Sequence, residues 1–203
     1  MSFADMTVRE FVDELSTDSA TPGGGSAAAV AGAMGAALGE MVCNLTVGKE
    51  DFEDVEDDME AARETLEDSR ERLFELADED AAAFDELMAA YRTPEDEGKA
   101  EAIERASKTA AEVPVETAEE CLTVIEESVD VAAKGNPNAV TDAGTAALLA
   151  HSALESALYN VEINLGSIDD EAFCEAMREQ TDRLVEDADA ALADVQDAVD
   201  ENL

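Results

Sequence analysis

Apolar positions along the 203-residue chain recur at intervals of three and four, alanine is abundant and strand-like alternation is scarce, so the pattern predicts helices from end to end. Thr7-x-x-Glu10 resembles a capping box and opens a short amphipathic helix whose Val8, Phe11, Val12 and Leu15 should face inward, with a stop near Thr17. After Thr21-Pro22-Gly23-Gly24-Gly25-Ser26, a second helix is expected to run to about Val47. Gly32, Gly35 and Gly39 lie along one side of it, and Val30, Met34, Leu38, Met41 and Leu45 along another. Each interior glycine costs about 1 kcal/mol relative to alanine, so three of them predict close backbone approach by a neighbouring helix or a partner subunit. This segment is the expected central helix.

A third helix, from about Phe52 to Tyr91, shows seven-residue spacing through Phe52, Met59, Leu66, Leu73, Asp80 and Leu87. Val55, Ala62, Ser69 and Leu76 form the companion positions, which predicts lengthwise packing as in a coiled coil. Thr93-Pro94 reads as an N-cap followed by proline at the first helical position, starting a fourth stretch that reaches Lys134 with an expected kink at Pro114. Gly135-Asn136-Pro137-Asn138 closes that stretch and starts a fifth helix ending near Leu165. Ser167-Ile168-Asp169-Asp170 caps a sixth that continues to the C-terminus. With no internal repeat and no linker, the expected fold is all-α. It is a single domain over residues 1–203, a multihelical bundle of long antiparallel helices around a buried Gly/Ala-rich central helix.

Composition changes this picture in one respect. The 46% hydrophobic content suffices for a packed core, but 52 acidic residues against 12 basic ones leave a net charge of −40. An acidic surface of this density keeps a protein soluble where salt screens repulsion and strengthens hydrophobic association. The acids are spread evenly, with no acidic block or tail for a basic partner, so a very salty cell is the reading they favour. DNA and anionic membranes would be repelled. Cys43, Cys121 and Cys174 are odd in number and widely spaced, which suggests neither a disulfide framework nor a thiolate metal site and fits a reducing, cytoplasmic compartment. The N-terminus lacks the basic stretch and apolar run of a signal peptide. The uncharged Ala27–Gly39 segment, 13 residues, is too short to span a bilayer and reads as a buried helix.

Asp80 is the most informative candidate for chemistry, because it occupies a seam position among Leu73, Leu76, Ala77, Ala83, Phe84 and Leu87. It is either buried at a cost, facing a functional cavity, or carried by helix rotation to a solvated edge. The glycine loop would offer free N–H groups and a positive helix end to an anion or carbonyl oxygen. Equally, it is a tight turn with Ser26 as N-cap. Asn136 and Asn138 precede Asp142 at a helix start, where capping is the competing explanation. Ser152, Ser156, Asn160 and Asn164 form a polar stripe that either bonds across a helix interface or lines a pocket. His151, the one histidine, shares a side with Glu155, Leu158 and Glu162, which suggests a helix flank. With one histidine, no cysteine cluster and no Glu-x-x-His pair, no metal site is expected.

Several segments, in order, resemble the cyclodeaminase domain of formiminotransferase-cyclodeaminase and its stand-alone relatives, the methenyltetrahydrofolate cyclohydrolases among them. They are Phe11 to Leu15, Thr21 to Ser26, Asn44 to Lys49, Asp78 to Phe84, Ala90-Tyr91-Arg92, Glu112-Val113-Pro114, Gly135 to Gly144 and Asn160 to Leu165. The chain departs from the family pattern at Glu162, where relatives commonly carry a basic residue. The resemblance implies a haloarchaeal-type acidic member: a helical subunit that forms a homodimer, binds a tetrahydrofolate derivative as substrate, and uses no metal or redox cofactor. The activity it implies is hydrolysis of 5,10-methenyltetrahydrofolate to 10-formyltetrahydrofolate. Cyclodeamination of formimidoyltetrahydrofolate, releasing ammonia, is the alternative within the family, and a non-catalytic folate-binding or scaffold role the alternative outside it. A chain without a transferase domain ahead of it leans toward the hydrolase. The implied catalytic residues are Asp80 and Asp142, as base and electrostatic partner. The implied substrate contacts are Pro22, Gly23, Gly24, Gly25, Ser26, Asn136, Asn138, Asn160 and Asn164, with Lys49 and Arg92 toward the glutamate tail.

Overall fold

The computed structural model describes residues 2–203. Six α-helices carry it: α1 (Val8–Leu15), α2 (Gly24–Asn44), α3 (Glu56–Tyr91), α4 (Lys99–Lys134), α5 (Val140–Leu165) and α6 (Glu171–Asn202). Four short 3-10 turns lie at Phe3–Asp5, Glu50–Val55, Glu95–Glu97 and Pro137–Ala139, and there is no strand among the described residues. The all-α expectation is borne out.

The bundle is organised around α2. Its Gly/Ala side is buried through Ala28, Ala29, Gly32, Ala33, Gly35, Ala36 and Gly39. The three interior glycines are where neighbours come closest. A Cβ on Gly32 would lie 2.6 Å from the Cys121 sulfur of α4, one on Gly35 2.8 Å from the Ala146 carbonyl of α5, and one on Gly39 2.8 Å from Leu66 Cδ1 of α3. Helices α3 and α5 run antiparallel to α2 on either side of it, α4 closes the core behind, and α6 packs on α4 and α5. The heptad positions of α3 deliver the expected seam, with Met59, Leu66, Leu73 and Leu76 fully buried.

The other side of α2 is inverted relative to an ordinary amphipathic helix. Its larger apolar side chains point outward: Met34 is 56% exposed, Met41 37% and Leu45 42%. By length and composition the 21 residues of α2 could cross a membrane. Their count therefore exceeds the 13-residue stretch read from the sequence, and it is closure of the glycine–alanine side against three helices that makes α2 a core element.

The burial of α1, the starts of α3 and α4, and the path of α4 differ from expectation. Helix α1 has the expected capping box, Thr7 and Glu10 each bonding the other's backbone N–H, but only Phe11 is buried. Val8 is 82% exposed and Val12 54%, because α1 is a single layer resting on the bundle with nothing of its own chain outside it. Thr93-Pro94 does not open the fourth helix: a 3-10 turn follows, and α4 starts only after Gly98, whose φ of 78° is left-handed. Residues 50–55 form a 3-10 turn in which Phe52 leaves helical geometry, so α3 begins at Glu56 rather than at Phe52. Helix α4 runs without interruption through Pro114.

Candidate functional site

Leu66, Leu73 and Asp80 are spaced by seven on α3, and Gly39, Gly32 and Gly25 by seven on α2, running the other way. Each pair meets, so Asp80 is the third rung of a ladder whose first two rungs are leucines in glycine notches. At that rung the carboxylate reaches the start of α2. Asp80 Oδ2 accepts from the Ser26 backbone N–H at 2.8 Å and from the Ser26 hydroxyl at 2.9 Å. A Cβ on Gly25 would fall on this carboxylate, within 2.8 Å of Oδ2 and closer still to Oδ1, so glycine is what admits it. Asp80 is thus half-buried and held by α2, not rotated to a solvated edge.

Three physical effects act on this acid. Burial disfavours its charged form and raises its pKa; the two bonds from Ser26 pull it part of the way back. Oδ1 accepts no hydrogen bond from the chain. The N-cap of α2 is Gly23, with no side-chain bond, and Ser26 is the third helical residue rather than the cap. Gly24 and Gly25 open the helix, where backbone N–H groups lie outside the intrahelical ladder. Pro22 is buried just before them.

Beside the loop, α2 and α5 enclose a groove of about 440 Å³, lined by Gly24, Ala27 and Ala31 from one and by Ser152, Ser156 and Asn160 from the other. The polar stripe therefore lines a pocket over three of its four members. Within it, the Ser156 hydroxyl donates to the Ser152 carbonyl and the Asn160 amide to the Ser156 carbonyl. Asn164 leaves the stripe: its amide donates to the Ala110 carbonyl of α4 at 2.6 Å. Tyr159, 77% exposed, also lines the groove, although sequence reasoning passed over it. Its spacing of three from Ser156 was the available signal.

The second group of candidates is far away. Asn136 donates its N–H to the buried Thr46 hydroxyl at 2.9 Å and its amide to the Leu45 carbonyl at 3.2 Å, tying the start of α5 to the end of α2. Asn138 donates to Asn136 Oδ1 from both its backbone and its amide, at 3.0 Å each. Asp142 lies in the first turn of α5, half-buried, and accepts no hydrogen bond from a helix N–H, so capping does not account for it. Lys49 is exposed nearby and forms no ion pair among the described residues.

These residues occupy the C-terminal end of α2, whereas the glycine loop and Asp80 occupy its N-terminal end. The 21 residues of α2 span about 30 Å at ~1.5 Å per residue, and Asp142, one turn before the Ala146 that faces Gly35, stands roughly 20 Å along the axis from Asp80 at Gly25. One subunit therefore does not bring Asp80 and Asp142 together. Arg92, exposed where α3 ends, is on the Asp80 side of the molecule and Lys49 on the other, so they do not converge on one ligand within a chain either.

His151 is the helix-flank residue expected, its Nε2 2.8 Å from Asp189 Oδ1 of α6. A further cavity of about 320 Å³, almost wholly apolar, lies between α1 and α2, walled by Phe3, Met6, Val12, Val30, Met34 and Phe74. The Phe3 N–H, bonded to Asp78 Oδ1 at 2.8 Å, pins its outer wall to α3.

Residues 7–183 match the family model described as formiminotransferase-cyclodeaminase. The methenyltetrahydrofolate cyclohydrolase of Methylorubrum extorquens is 42% identical over 189 residues, 91% of this chain and 91% of its own length. The formimidoyltransferase-cyclodeaminase of Sus scrofa is 32% identical over 95% of this chain, which spans only 37% of that longer protein. The crystal structure of formiminotetrahydrofolate cyclodeaminase from Thermotoga maritima superposes with a TM-score of 0.91 at 34% identity, covering 98% of both chains.

Proposed function

This chain belongs to the formiminotransferase-cyclodeaminase family, and from that premise we propose that it hydrolyses 5,10-methenyltetrahydrofolate to 10-formyltetrahydrofolate. The observation that carries the reading is the 42% identity to a methenyltetrahydrofolate cyclohydrolase of matching length. Cyclodeamination of formimidoyltetrahydrofolate is the second reading, favoured by the close superposition on the Thermotoga maritima enzyme.

The substrate carries a cationic amidinium carbon between N5 and N10. Water adds to that carbon and loses a proton, giving a neutral carbinolamine; the N5–carbon bond then breaks as N5 takes a proton and the carbinol hydroxyl gives up its own, leaving the formyl group on N10 and one proton released. An ionised carboxylate facing the cation stabilises it and accepts the proton from water. Asp80 is the base in this scheme: Ser26 fixes one oxygen, and Oδ1 is left for the reacting groups. The first N–H groups of α2 and the Asn160 amide bind the polar edge of the pterin in the groove beside them. No metal or redox cofactor enters the scheme, and among the described residues no three His, Cys, Asp or Glu side chains gather as metal ligands.

The reading extends to a cytoplasmic, salt-adapted homodimer. Three free, buried cysteines support the first term, the charge of −40 the second, and the outward apolar side of α2 the third. The test is turnover at molar salt. Loss of methenyltetrahydrofolate absorbance without ammonia release from formimidoyltetrahydrofolate is the expected result; ammonia release with no hydrolysis would replace the first reading by the second.

A further inference from the structure

Three hollows run in series beside the first half of α2. The groove between α2 and α5 and the apolar cavity between α1 and α2 share two wall residues, Ala27 and Ala31, which stand one turn apart and form the ridge between them. On its far side the cavity meets a shallow surface hollow through Val8 and Val12 of α1, where Arg9 and Asp13 complete the lining. Arg9 is exposed and forms no ion pair among the described residues, in a chain with 12 bases for 52 acids.

The three hollows differ in chemistry. The groove offers the polar side chains of Ser152, Ser156 and Asn160. The cavity, about 320 Å³, falls within the ~300–1,000 Å³ of small-molecule sites. Three of the chain's six phenylalanines wall it, Phe3, Phe11 and Phe74, with Phe3 edge-on to Phe11 at 5.7 Å between ring centres. Such a concentration of rings suits a flat arene, which gains from edge and face contacts that an aliphatic chain does not make. The outer hollow, with Arg9 beside Asp13, offers a carboxylate one exposed and therefore weak cationic contact.

The substrate has its parts in the same order. N5 belongs to the pterin, N10 carries the p-aminobenzoyl ring that ends in glutamate, and the reacting carbon joins the two. A ligand with its pterin in the groove and its arene in the cavity passes that carbon over Ala27, next to the Ser26 that holds Asp80. A larger side chain at position 27 or 31 would stand in the crossing.

We propose that the cavity under α1 is the subsite for the p-aminobenzoyl ring, with Arg9 meeting the glutamate beyond it. The proposal rests on the folate reading above and places the half of the substrate that the groove does not hold. Neither Lys49 nor Arg92 lines any of the three hollows, so the tail contact passes from them to Arg9.

Methionine methyl NMR at molar salt tests it without turnover. Met6 and Met34 line the cavity, whereas Met59 is sealed in the core and Met177 lies on α6. Excess p-aminobenzoyl-glutamate should shift Met6 and Met34 and leave Met59 and Met177 in place. No shift at Met6 and Met34 would overturn the subsite, as would signals that respond to protein dilution and not to the probe, which would give the cavity to a second copy. Val30→Phe fills the cavity without touching the groove and should raise KM by about 10-fold or more. A folded variant with wild-type KM would overturn the proposal. Arg9→Gln should weaken p-aminobenzoyl-glutamate by about 2- to 5-fold and leave p-aminobenzamide, which has no glutamate, unchanged; equal binding of both probes by variant and wild type would overturn the placing of the tail. Wild-type protein that turns over no folate would overturn the functional reading alone, and the methionine shifts would still decide whether the cavity takes the ring.

Discussion

Asn164 stands in for the backbone donor that Pro114 lacks. Proline has no N–H to give the carbonyl four residues back, which is that of Ala110, and the Asn164 side-chain amide donates to that carbonyl at 2.6 Å. The bond lets α4 continue through a buried proline and clamps it to the end of α5. Asn164→Ala should therefore lower stability by about 1–3 kcal/mol, the cost of a buried carbonyl left alone. In a Pro114→Ala background, where the backbone supplies its own donor, the same change should cost less than half as much. Urea unfolding of the four proteins in this cycle measures the coupling, and equal costs in both backgrounds would refute the substitution of one donor for the other.

Gly25→Ala should disable the site while leaving the bundle folded. The added methyl meets the Asp80 carboxylate head-on, so the acid must leave its bond with Ser26. Displacement of about 1 Å in a reacting group costs on the order of 100-fold in rate. Asp80→Asn is the comparison, since it alters the acid without adding a methyl to the start of α2. Turnover and thermal melts of the pair separate loss of the acid from loss of the fold.

Asp80→Asn should lower kcat by ~10²–10⁴-fold yet not lower the melting temperature at pH 7. Burial raises the folded-state pKa of Asp80 above the ordinary value of 3.8, so the fold favours the protonated form. Its stabilising contribution is complete below 3.8 and lost as pH rises through the raised folded value, which leaves the ionised acid as a cost at neutral pH. Asparagine removes that cost, and the advantage of the variant should vanish on acidification below 3.8. In the wild type, the acid limb of kcat/KM should titrate above 3.8. Melting curves and rate profiles across pH read both; a variant less stable at pH 7 would contradict the sign.

Salt should stabilise the protein steeply. With 52 acids and 12 bases, repulsion acts across ~10 Å at 0.1 M salt but only about 3 Å at 1 M. The melting temperature is expected to rise by roughly 10 °C or more between those conditions, a few kcal/mol for a domain of this size. Calorimetry in potassium chloride checks it, and a flat response would detach the acidic surface from salt adaptation.

Much of this was legible in the sequence because periodicity reports burial. The heptads of α3 placed Leu66, Leu73 and Asp80 on one seam, and the glycines of α2 predicted the close contacts that received them. Asp80 stood out as a polar residue in an apolar series. Val8 and Val12 were misread because periodicity marks an apolar face without saying whether its cover comes from the same chain. Asn164 takes the other role open to the stripe, a bond across a helix interface, and periodicity could not say which. Its spacing matched Asn160, but its partner, Ala110, is 54 residues away and became available only through Pro114. The distance between Asp80 and Asp142 was hidden as well, since antiparallel packing sends consecutive helices to opposite ends of the bundle.

The ladder of Gly39–Leu66, Gly32–Leu73 and Gly25–Asp80 also restricts how the protein can move. For α3 to slide along α2 by one turn, about 5.4 Å, two leucines and a carboxylate would have to vacate three notches together. Shear between these helices is thereby closed as a route to opening, and Asp80 behaves as a fixed post. Helix α1 has no such teeth: Phe11 is its one buried residue, and a short loop joins it to Gly23. Of the helices that touch α2, α1 is thus the one whose displacement would leave the acid where it stands.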